Sequence, residues 1–393
     1  MSKIVKLGDV CNLQNGFAFK SKLFKEKGLP ILRISNIQNE RIDTRRPVYF
    51  NPSDYKIDFE KYKVKKGALL IAMSGATTGK IGFNKSQTTF YLNQRVGMLE
   101  PSKDLDKKYL YYILSTKIEE NLKISKGAAQ PNLNSEQIRN IVILLPPLTE
   151  QQHIVDKLDS VFTEIDNLIE LNMNNENEIK SFYENSKIKI FENLLDFKEQ
   201  TLKEVCEKIT DGTHQTPKYF DKGYIFLSSR NVKTQKIDWG KIKYIDEKQH
   251  NEMQKRVSPR RGDILLAKNG TTGVGAIVDK DINFDIYVSL ALLRSKGDIL
   301  PEYMLEFINS KSAKEQFAER TKGIGVPNLH LQEIREVNIK YPKSKVEQNR
   351  VIKKINILNE QFNELLFISK KKHHNFLTLK SSIIKKELSN KTA

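Results

Sequence analysis

The chain has 393 residues, of which 66 are Lys or Arg and 48 are Asp or Glu, so its formal net charge is +18. This length exceeds what one hydrophobic core normally serves, and two or more domains are expected. Hydrophobic residues make up 38% of the chain, with no apolar run of membrane-spanning length and no secretory signal. Two cysteines exclude a disulfide framework and a four-ligand zinc site, so we expect a cytoplasmic protein, and the excess positive charge indicates a polyanionic partner such as nucleic acid.

Residues 1–147 consist of short apolar runs separated by clusters of Gly, Asn, Pro and Thr. The runs Leu69 to Met73 and Ile141 to Leu145 are typical of buried strands, whereas Lys107 to Asn121 has a helical pattern. This mixture predicts a globular domain of the mixed α/β (α+β) class.

The same organisation returns in the second half of the chain. Leu7 to Cys11 returns as Leu202 to Cys206, and Lys66 to Ala72 returns as Arg261 to Ala267, both 195 residues later. In both copies the second segment is followed by a loop that contains two threonines between glycines. This self-similarity indicates a tandem duplication and therefore an internal pseudo-two-fold repeat of two similar globular domains.

Each copy ends in a segment with the heptad pattern of a long helix. In the first copy the predicted seam is Leu158, Val161, Ile165, Leu168, Asn172, Asn175, Ile179 and Phe182. In the second copy it is Ile355, Leu358, Phe362, Leu365, Ser369, Lys372, Phe376 and Leu379. The polar residues at the centre of both seams match if the two helices pair antiparallel, and the net charges of −7 over residues 148–199 and +7 over residues 344–393 favour that antiparallel coiled coil. The alternative is that each helix packs only on its own globular domain.

The remaining charge lies on the two globular domains, with net +12 over residues 1–147 and net +6 over residues 200–343. Two similar basic domains with approximate two-fold symmetry suit duplex DNA, whose major groove recurs roughly every 34–36 Å. Because the two domains differ in sequence, we expect them to read two different half-sites of an asymmetric, bipartite target.

At this point the motifs resemble those of type I restriction-modification specificity subunits, and the resemblance covers essentially the whole chain. It rests on Leu7-Gly8-Asp9-Val10, Asn15-Gly16-Phe17-Ala18-Phe19, Gly67-Ala68-Leu69-Leu70, Leu145-Pro146-Pro147-Leu148-Thr149-Glu150-Gln151, Asp211-Gly212-Thr213-His214-Gln215-Thr216-Pro217 and Gly262-Asp263-Ile264-Leu265. The second copy departs from the pattern at Tyr341-Pro342-Lys343, which replaces the Pro-Pro-Leu form.

The resemblance implies target-recognition domains at residues 1–147 and 200–343, separated by conserved helices at 148–199 and 344–393 that serve as coiled-coil spacers. It implies a DNA sequence-specificity subunit without catalysis of its own, which binds double-stranded DNA and makes no membrane contact. Its expected partners are two modification (methyltransferase) subunits and ATP-dependent restriction (translocase and endonuclease) subunits. No cofactor is expected on this chain, whereas the partner subunits are expected to use S-adenosylmethionine, ATP and Mg²⁺.

Two other functions stay open on the sequence alone. One is a self-contained DNA methyltransferase or nuclease, although the chain has no Asn-Pro-Pro-aromatic or Asp-Pro-Pro-aromatic motif. The other is a coiled-coil interaction protein that does not bind DNA. Gly75 to Lys80 is not a Walker A loop, because three rather than four residues separate its glycines and Ile81 follows the lysine. No metal is expected, since none of the six histidines belongs to an i, i+4 pair with an acidic third ligand.

The side chains best suited to DNA lie in loops that follow predicted strands. Glycines let a backbone approach the duplex, Thr and Lys bind phosphate, Asn fits adenine and Arg fits guanine. The candidate DNA contacts are Ser35, Asn36, Thr77, Thr78, Lys80, Gln94 and Arg95 in the first domain and Thr213, His214, Arg230, Asn231, Lys268, Thr271 and Thr272 in the second. The alternative for Asn36 and Asn231 is a turn cap, and for the glycine-threonine loops it is a tight turn without a ligand. Ser35 and Arg230 differ at equivalent positions, so they are the better candidates for sequence choice.

Overall fold

A computed structural model describes residues 2–38, 40–45, 47–124, 132–320 and 328–389. The chain divides into two units, the first made of Met1–Asn172 with Lys371–Ala393 and the second of Met173–Lys370. Each unit therefore combines one globular half of the repeat with parts of both long helices.

The apolar runs of the first unit form strands because continuous Val, Ile, Leu and Phe stretches pack well when both faces of a sheet are covered. Its strands are β1 (Lys3–Lys6), β2 (Cys11–Asn15), β3 (Leu29–Leu32), β4 (Ile37–Gln38), β5 (Glu40–Ile42), β6 (Val48–Phe50), β7 (Lys63–Val64), β8 (Leu69–Ala72), β9 (Ile81–Phe83), β10 (Phe90–Leu92), β11 (Val96–Pro101) and β12 (Val142–Leu145). They form sheets with the orders β2-β11-β8-β9-β5-β4, β6-β3-β10-β7 and β1-β12. The helices are α1 (Leu7–Val10), α2 (Lys107–Ile124), α3 (Ser135–Arg139) and α4 (Leu148–Glu192), which continues into the second unit.

The second unit repeats this plan. Its strands are β13 (Phe197–Thr201), β14 (Cys206–Asp211), β15 (Tyr224–Leu227), β16 (Val232–Lys233), β17 (Lys236–Ile237), β18 (Lys243–Ile245), β19 (Ile264–Ala267), β20 (Gly275–Ile277), β21 (Phe284–Ile286), β22 (Leu290–Ser295) and β23 (Asn338–Pro342). The sheet orders are β14-β22-β19-β20, β18-β15-β21, β16-β17 and β13-β23. Its helices are α5 (Leu202–Val205), α6 (Glu247–Arg256), α7 (Pro301–Ile308), α8 (Lys311–Arg320), α9 (Leu331–Arg335) and α10 (Lys345–Ser389), the last of which ends in the first unit.

The repeat is visible in the strand pairing. The strand β8 lies antiparallel between β9 and β11, as β19 does between β20 and β22. The pair β3 and β10 is parallel, as is the pair β15 and β21. One difference stands out, because the second unit has the helix α6 where the first has the short 3-10 turns Pro52–Asp54 and Glu60–Tyr62. The predicted fold class, with mixed α and β structure in two copies, is confirmed.

A buried glutamine ties the start of each long helix to the globular part of its own unit. The side-chain oxygen of Gln151 accepts a hydrogen bond of 2.7 Å from Asp106 N, and its nitrogen donates to Asp104 O and Pro146 O. Gln348 makes the equivalent three hydrogen bonds in the second unit. Because both side chains are fully buried, these polar contacts fix how α4 and α10 leave their domains.

Within each unit the two long helices run antiparallel, as predicted. In the first unit Lys157 Nζ lies 2.8 Å from Glu387 Oε1, and Lys380 Nζ lies 2.5 Å from Asp166 Oδ1. Residue numbers thus rise along α4 as they fall along α10. At Asp166 an acidic group of α4 meets a basic group of α10, as the net charges predict. The charges are reversed at Lys157, where α4 supplies the cation and Glu387 of α10 the anion.

The second unit shows the same antiparallel direction through aromatic contacts. Tyr183 stacks on Phe362 with 4.1 Å between the ring centroids, and its hydroxyl donates to Asn359 Oδ1 at 2.6 Å. The alternative that each helix packs only on its own globular domain is therefore wrong.

Half of the predicted seam positions, those spaced seven residues apart from Leu158 and from Ile355, are right. At the positions between them, the buried side of the helix contains the next residue along the chain instead. Asn172 and Ser369 are buried as polar members of the seam. The side chains of Leu168 and Phe182, however, are 46% and 69% exposed, and the seam contains Ile169 and Tyr183 instead. The second copy shows the same shift, with Leu365 and Leu379 exposed and Leu366 and Lys380 in the seam. Adjacent residues at i+3 and i+4 both lie near one helix face, so the pattern did not decide between them.

Candidate nucleic-acid interface

In the first unit, the turn after β3, the loop after β8 and the turn after β10 form one edge. The parallel strands β3 and β10 are neighbours, so their carboxyl ends lie side by side. Thr77 Oγ1, in the loop after β8, donates to Ile34 O at 3.0 Å. Met73 N, at the start of that loop, donates to Arg95 O at 2.9 Å. The structure thus brings together the predicted residues Ser35, Thr77 and Arg95 and their neighbours.

The second unit builds the same edge from the turn after β15, the loop after β19 and the turn after β21. Ser229 N donates to Ser289 Oγ at 3.0 Å, and Ser229 Oγ donates to Asn269 Oδ1 at 3.3 Å. Lys268 N donates to Ser289 O at 2.9 Å, as Met73 N does to Arg95 O in the first unit. Equivalent backbone contacts therefore hold both edges.

A glycine allows a fourth segment to reach each edge. A Cβ atom at Gly16 would lie 2.1 Å from Asn93 O, and one at Gly212 would lie 1.8 Å from Ile286 O. No side chain fits in that space, so the Asn15-Gly16 and Asp211-Gly212 segments need glycine to pass this close to the neighbouring backbone.

The predicted contact residues divide by burial. The exposed ones are Ser35, Gln94, Arg95, His214, Arg230 and Thr271. The half-buried ones are Thr77, Lys80, Thr213 and Thr272. The buried ones are Asn36, Thr78, Asn231 and Lys268. A base or phosphate reaches the first two groups more easily than the third.

The side chains of Asn36 and Asn231 form hydrogen bonds with backbone groups of the fold. Asn36 Oδ1 accepts from Arg33 N at 2.9 Å, and Asn36 Nδ2 donates to Asp43 O at 2.9 Å. Asn231 Oδ1 likewise accepts from Ser228 N at 3.0 Å, and its Nδ2 donates to backbone carbonyls downstream. Each side chain would have to break these hydrogen bonds to hold an adenine. The geometry therefore favours the turn-cap interpretation over a base contact for both.

Lys268 is also committed to an internal partner, the buried carboxylate of Asp211. Its Nζ donates to Asp211 Oδ2 at 2.7 Å, and Arg256 Nη2 donates to Asp211 Oδ1 at 2.6 Å. Burial raises the pKa of the Asp211 carboxyl, but the hydrogen bonds from Lys268 and Arg256 outweigh that effect and hold the pKa below its ordinary value. Asp211 is therefore ionised at neutral pH and fixes two cations at the edge.

Sequence reasoning missed several side chains at these edges. Asn132 faces Ser74 across a β-bridge and lines a cleft of about 440 Å³ together with Gln94 and Arg95. Ser74 Oγ is buried there without a hydrogen-bond partner in the part of the chain that the structure describes. Arg256 was missed in the second unit. The signal available was the strongly polar composition of its helix, which offers no apolar face to a core.

These features define a class of duplicated proteins. Each of the two mixed α/β units has an edge built from loops that carry polar and basic side chains, and each unit also contains parts of the two long antiparallel helices. Residues 2–181 and 195–365 match the family model described as the type I restriction modification DNA specificity domain. The chain belongs to this family, and the resemblance noted from its motifs is confirmed. It is a DNA-recognition subunit of the type I restriction-modification class and not a catalytic one.

Relatives of known class agree with the family. The chain is 34% identical to the type I restriction enzyme MjaVIII specificity subunit of Methanocaldococcus jannaschii over 45% of this chain, a match that spans only 42% of that relative. It is 23% identical to the EcoBI specificity subunit of Escherichia coli over 89% of this chain and 78% of that one. It is 24% identical to the EcoKI specificity subunit of E. coli K12 over 90% and 81%.

Solved structures agree with the fold. A chain from a structural study of complex assembly in the type I restriction-modification system matches with a TM-score of 0.70 at 16% identity, covering 98% of this chain and 97% of that one. The HsdS subunit from Thermoanaerobacter tengcongensis matches with a TM-score of 0.52 at 15% identity, covering 98% and 96%. Across the described ranges, no helix is both long and apolar enough to span a membrane.

Proposed function

We propose that each unit reads one half-site of an asymmetric, bipartite sequence in double-stranded DNA. The observation that carries this proposal is that equivalent backbone contacts hold the same edge in both units while the exposed side chains on it differ. Ser35 in the first unit corresponds to Arg230 in the second, and both side chains are exposed, whereas the exposed Arg95 corresponds to the buried Ser289. A conserved frame with exchanged side chains is what two readers of different base sequences require.

The charge of the chain supports the same proposal. The globular segments carry net charges of +12 and +6 over residues 1–147 and 200–343, and cations on these surfaces attract phosphates whatever the base sequence. Sequence choice then falls to the exposed side chains of each edge. Binding should therefore weaken steeply with salt, whereas the preference between sequences should persist.

The test is to map methylated adenines in the genome of cells that carry this chain with its modification subunits, and then to footprint the target with the purified complex. A bipartite motif with two protected patches supports the proposal. Uniform protection of unrelated sequences by the complete complex contradicts it. Arg230→Ala should then relax one half-site only, whereas Lys233→Ala, an exposed cation on the next strand, should reduce affinity without changing the motif.

We also propose that methyltransferase subunits dock on the long helices and bring S-adenosylmethionine, and that restriction subunits join them with ATP and Mg²⁺. Two aromatic side chains on these helices support a docking role, because Phe182 is 69% exposed and Phe367 is 67% exposed. Exposed apolar groups that lie close together commonly mark interaction surfaces, and Leu365 and Ile368 next to Phe367 are also exposed, at 47% and 41%. Phe182→Ser and Phe367→Ser should reduce co-elution with the modification subunit but leave the free energy of unfolding nearly unchanged. Full co-elution of the double variant would contradict this docking site.

The alternative of a self-contained methyltransferase or nuclease is separable by one measurement. The purified chain is incubated alone with target DNA and either S-adenosylmethionine or Mg²⁺. Methyl transfer or cleavage by this chain without partners would overturn the proposed function.

A further inference from the structure

The second unit holds a network of charged side chains that has no counterpart among the described residues of the first unit. Besides Lys268 and Arg256, the carboxylate of Asp211 lies 3.3 Å from His214 Nε2, which in turn lies 3.3 Å from Arg256 Nη2. Arg256 Nε also donates to the backbone oxygen of Asp211 at 3.2 Å. The Asp211 side chain is buried, whereas about half of the Arg256 side chain is exposed. The buried acid therefore holds an arginine that reaches the surface.

The fold does not require this network. The backbone registers of the two units place Asn15 at the position of Asp211 and Met73 at the position of Lys268. Ala18 corresponds to His214. The first unit thus has neutral residues at these three positions of its edge. A charged cluster confined to one copy indicates a role in what that copy recognises.

The helix that carries Arg256 is fixed by polar contacts rather than by an apolar face. On α6, His250 Nδ1 lies 2.6 Å from Asp285 Oδ2, and its ring stacks on Tyr224 with 3.8 Å between centroids. Gln254 Nε2 donates to Asp285 Oδ1 at 2.7 Å. Arg256 is therefore held from both sides, by its helix and by Asp211, which is the support that a recognition side chain needs.

Arg256 lines a cleft of about 340 Å³. Around it the cleft is lined by His214, Gln215, Gln249 and Glu252, among other residues. A face that bound only phosphate would not carry the Glu252 carboxylate, which repels an anion. Donors and acceptors side by side instead match the edges of bases, where Arg pairs with guanine and Glu accepts from cytosine.

We propose that Arg256 selects a guanine in the half-site read by the second unit, with Asp211 as its positioning residue. Asp211 occupies the guanidinium edge formed by Nε and Nη2, and Nη1 makes no hydrogen bond to any residue that the structure describes. His214 Nε2 lies 3.3 Å from both Nη2 and Asp211 Oδ1, so it contacts Nη2 on the side of Asp211. The edge that Nη1 shares with Nη2 is the one left to hold N7 and O6 of guanine together. This inference rests on the proposed function, and it adds the residue and the base.

The test begins from the methylated motif of the wild-type complex, with competition binding of duplexes that vary one base at a time. Replacing the guanine should weaken the wild type about 5- to 150-fold, as expected for loss of one bidentate pair. Replacing it by 7-deazaguanine, which lacks the N7 acceptor, should weaken the wild type in part. Arg256→Gln should bind the guanine duplex no better than the others, with the first half-site unaffected.

Three variants separate recognition from a structural role. Arg256→Lys keeps the charge but not the fork, so it should also lose the guanine preference. Lys255→Gln removes the neighbouring exposed cation of the same helix and should keep the guanine preference. Asp211→Asn combined with Lys268→Met should weaken the preference while the subunit stays folded, since it copies the neutral pair of the first unit.

The outcomes distinguish this inference from the proposed function. If the complex has no bipartite motif, the proposed function fails. If the motif exists but Arg256→Gln keeps the second half-site unchanged, or alters both half-sites equally, only the role of Arg256 fails. The same holds if the second half-site contains no guanine.

Discussion

The ion pair between Asp211 and Lys268 yields a sharp prediction about stability. Both side chains are nearly inaccessible to water, at 4% and 7% exposed, and their charged atoms lie 2.7 Å apart. In Asp211→Asn the amide keeps the shape of the carboxylate but not its charge. The ammonium group of Lys268 then stays buried without a counter-charge.

The expected cost is large because a lone buried charge is poorly solvated. Removing one partner of a buried pair typically lowers the free energy of unfolding by about 3–5 kcal/mol. The bond from Arg256 to Asp211 adds little, since that guanidinium is half exposed and can turn to water. We therefore expect Asp211→Asn to destabilise the second unit by about 3 kcal/mol or more.

The matched control removes both charges. Asp211→Asn with Lys268→Met reproduces the residues that the first unit has, Asn15 and Met73. Replacing a buried pair by a neutral, well-packed pair is often close to neutral. The double variant should therefore lie within about 1 kcal/mol of the wild type, which leaves a coupling energy of about 2 kcal/mol or more.

Urea unfolding of the full-length subunit, followed by far-UV circular dichroism, measures these differences. The reasoning is refuted if Asp211→Asn costs less than about 1 kcal/mol, or if the double variant is as unstable as the single one. In the first case the pair contributes no net charge interaction. In the second case the loss arises from packing.

The pH dependence of unfolding in the same variants tests the direction of the pKa shift of Asp211. The pKa of Asp211 is lower in the folded protein than in the unfolded chain. Its contribution to stability is therefore present above the ordinary aspartate pKa of about 4 and is lost as the pH falls through the lowered folded value. The wild type should lose stability in acid more steeply than the double variant, and equal slopes would count against an ionised Asp211.

Three further predictions use the same unfolding assay. Gln151→Ala should cost about 2–3 kcal/mol by leaving buried backbone groups unpaired, whereas exposed Gln152→Ala should cost less than about 0.5 kcal/mol; equal effects would contradict the role of the buried glutamine. Ile169→Ala should cost about 1–2 kcal/mol, as a half-buried seam residue, and Leu168→Ala should cost less than about 0.5 kcal/mol, with the reverse order restoring the seam predicted from sequence. Gly212→Ala should cost at least about 1–3 kcal/mol because its Cβ meets a backbone carbonyl, and an unchanged midpoint would show that the turn relaxes freely.

The sequence alone determined the repeat, the mixed α/β class and the two long antiparallel helices. Self-similarity and period are carried by residues close together in the chain, so Leu69 to Met73 predicts a strand and the heptads predict paired helices without any tertiary information. The sequence did not decide whether Leu168 or Ile169 belongs to the seam, because both residues are apolar and adjacent. Packing against the partner helix decided that choice.

The partners of the candidate DNA contacts were decided only by the tertiary structure. Asn36 and Asn231 have the chemistry of adenine readers, but backbone groups brought to them by the fold occupy their amides. Lys268 has the chemistry of a phosphate contact, but Asp211, 57 residues away in the chain, buries and neutralises it. The same carboxylate holds Arg256, and the polar composition of its helix alone does not show which side chain of that helix reaches the edge. Residue types set which interactions are available to a side chain, and long-range contacts decide which of them it makes.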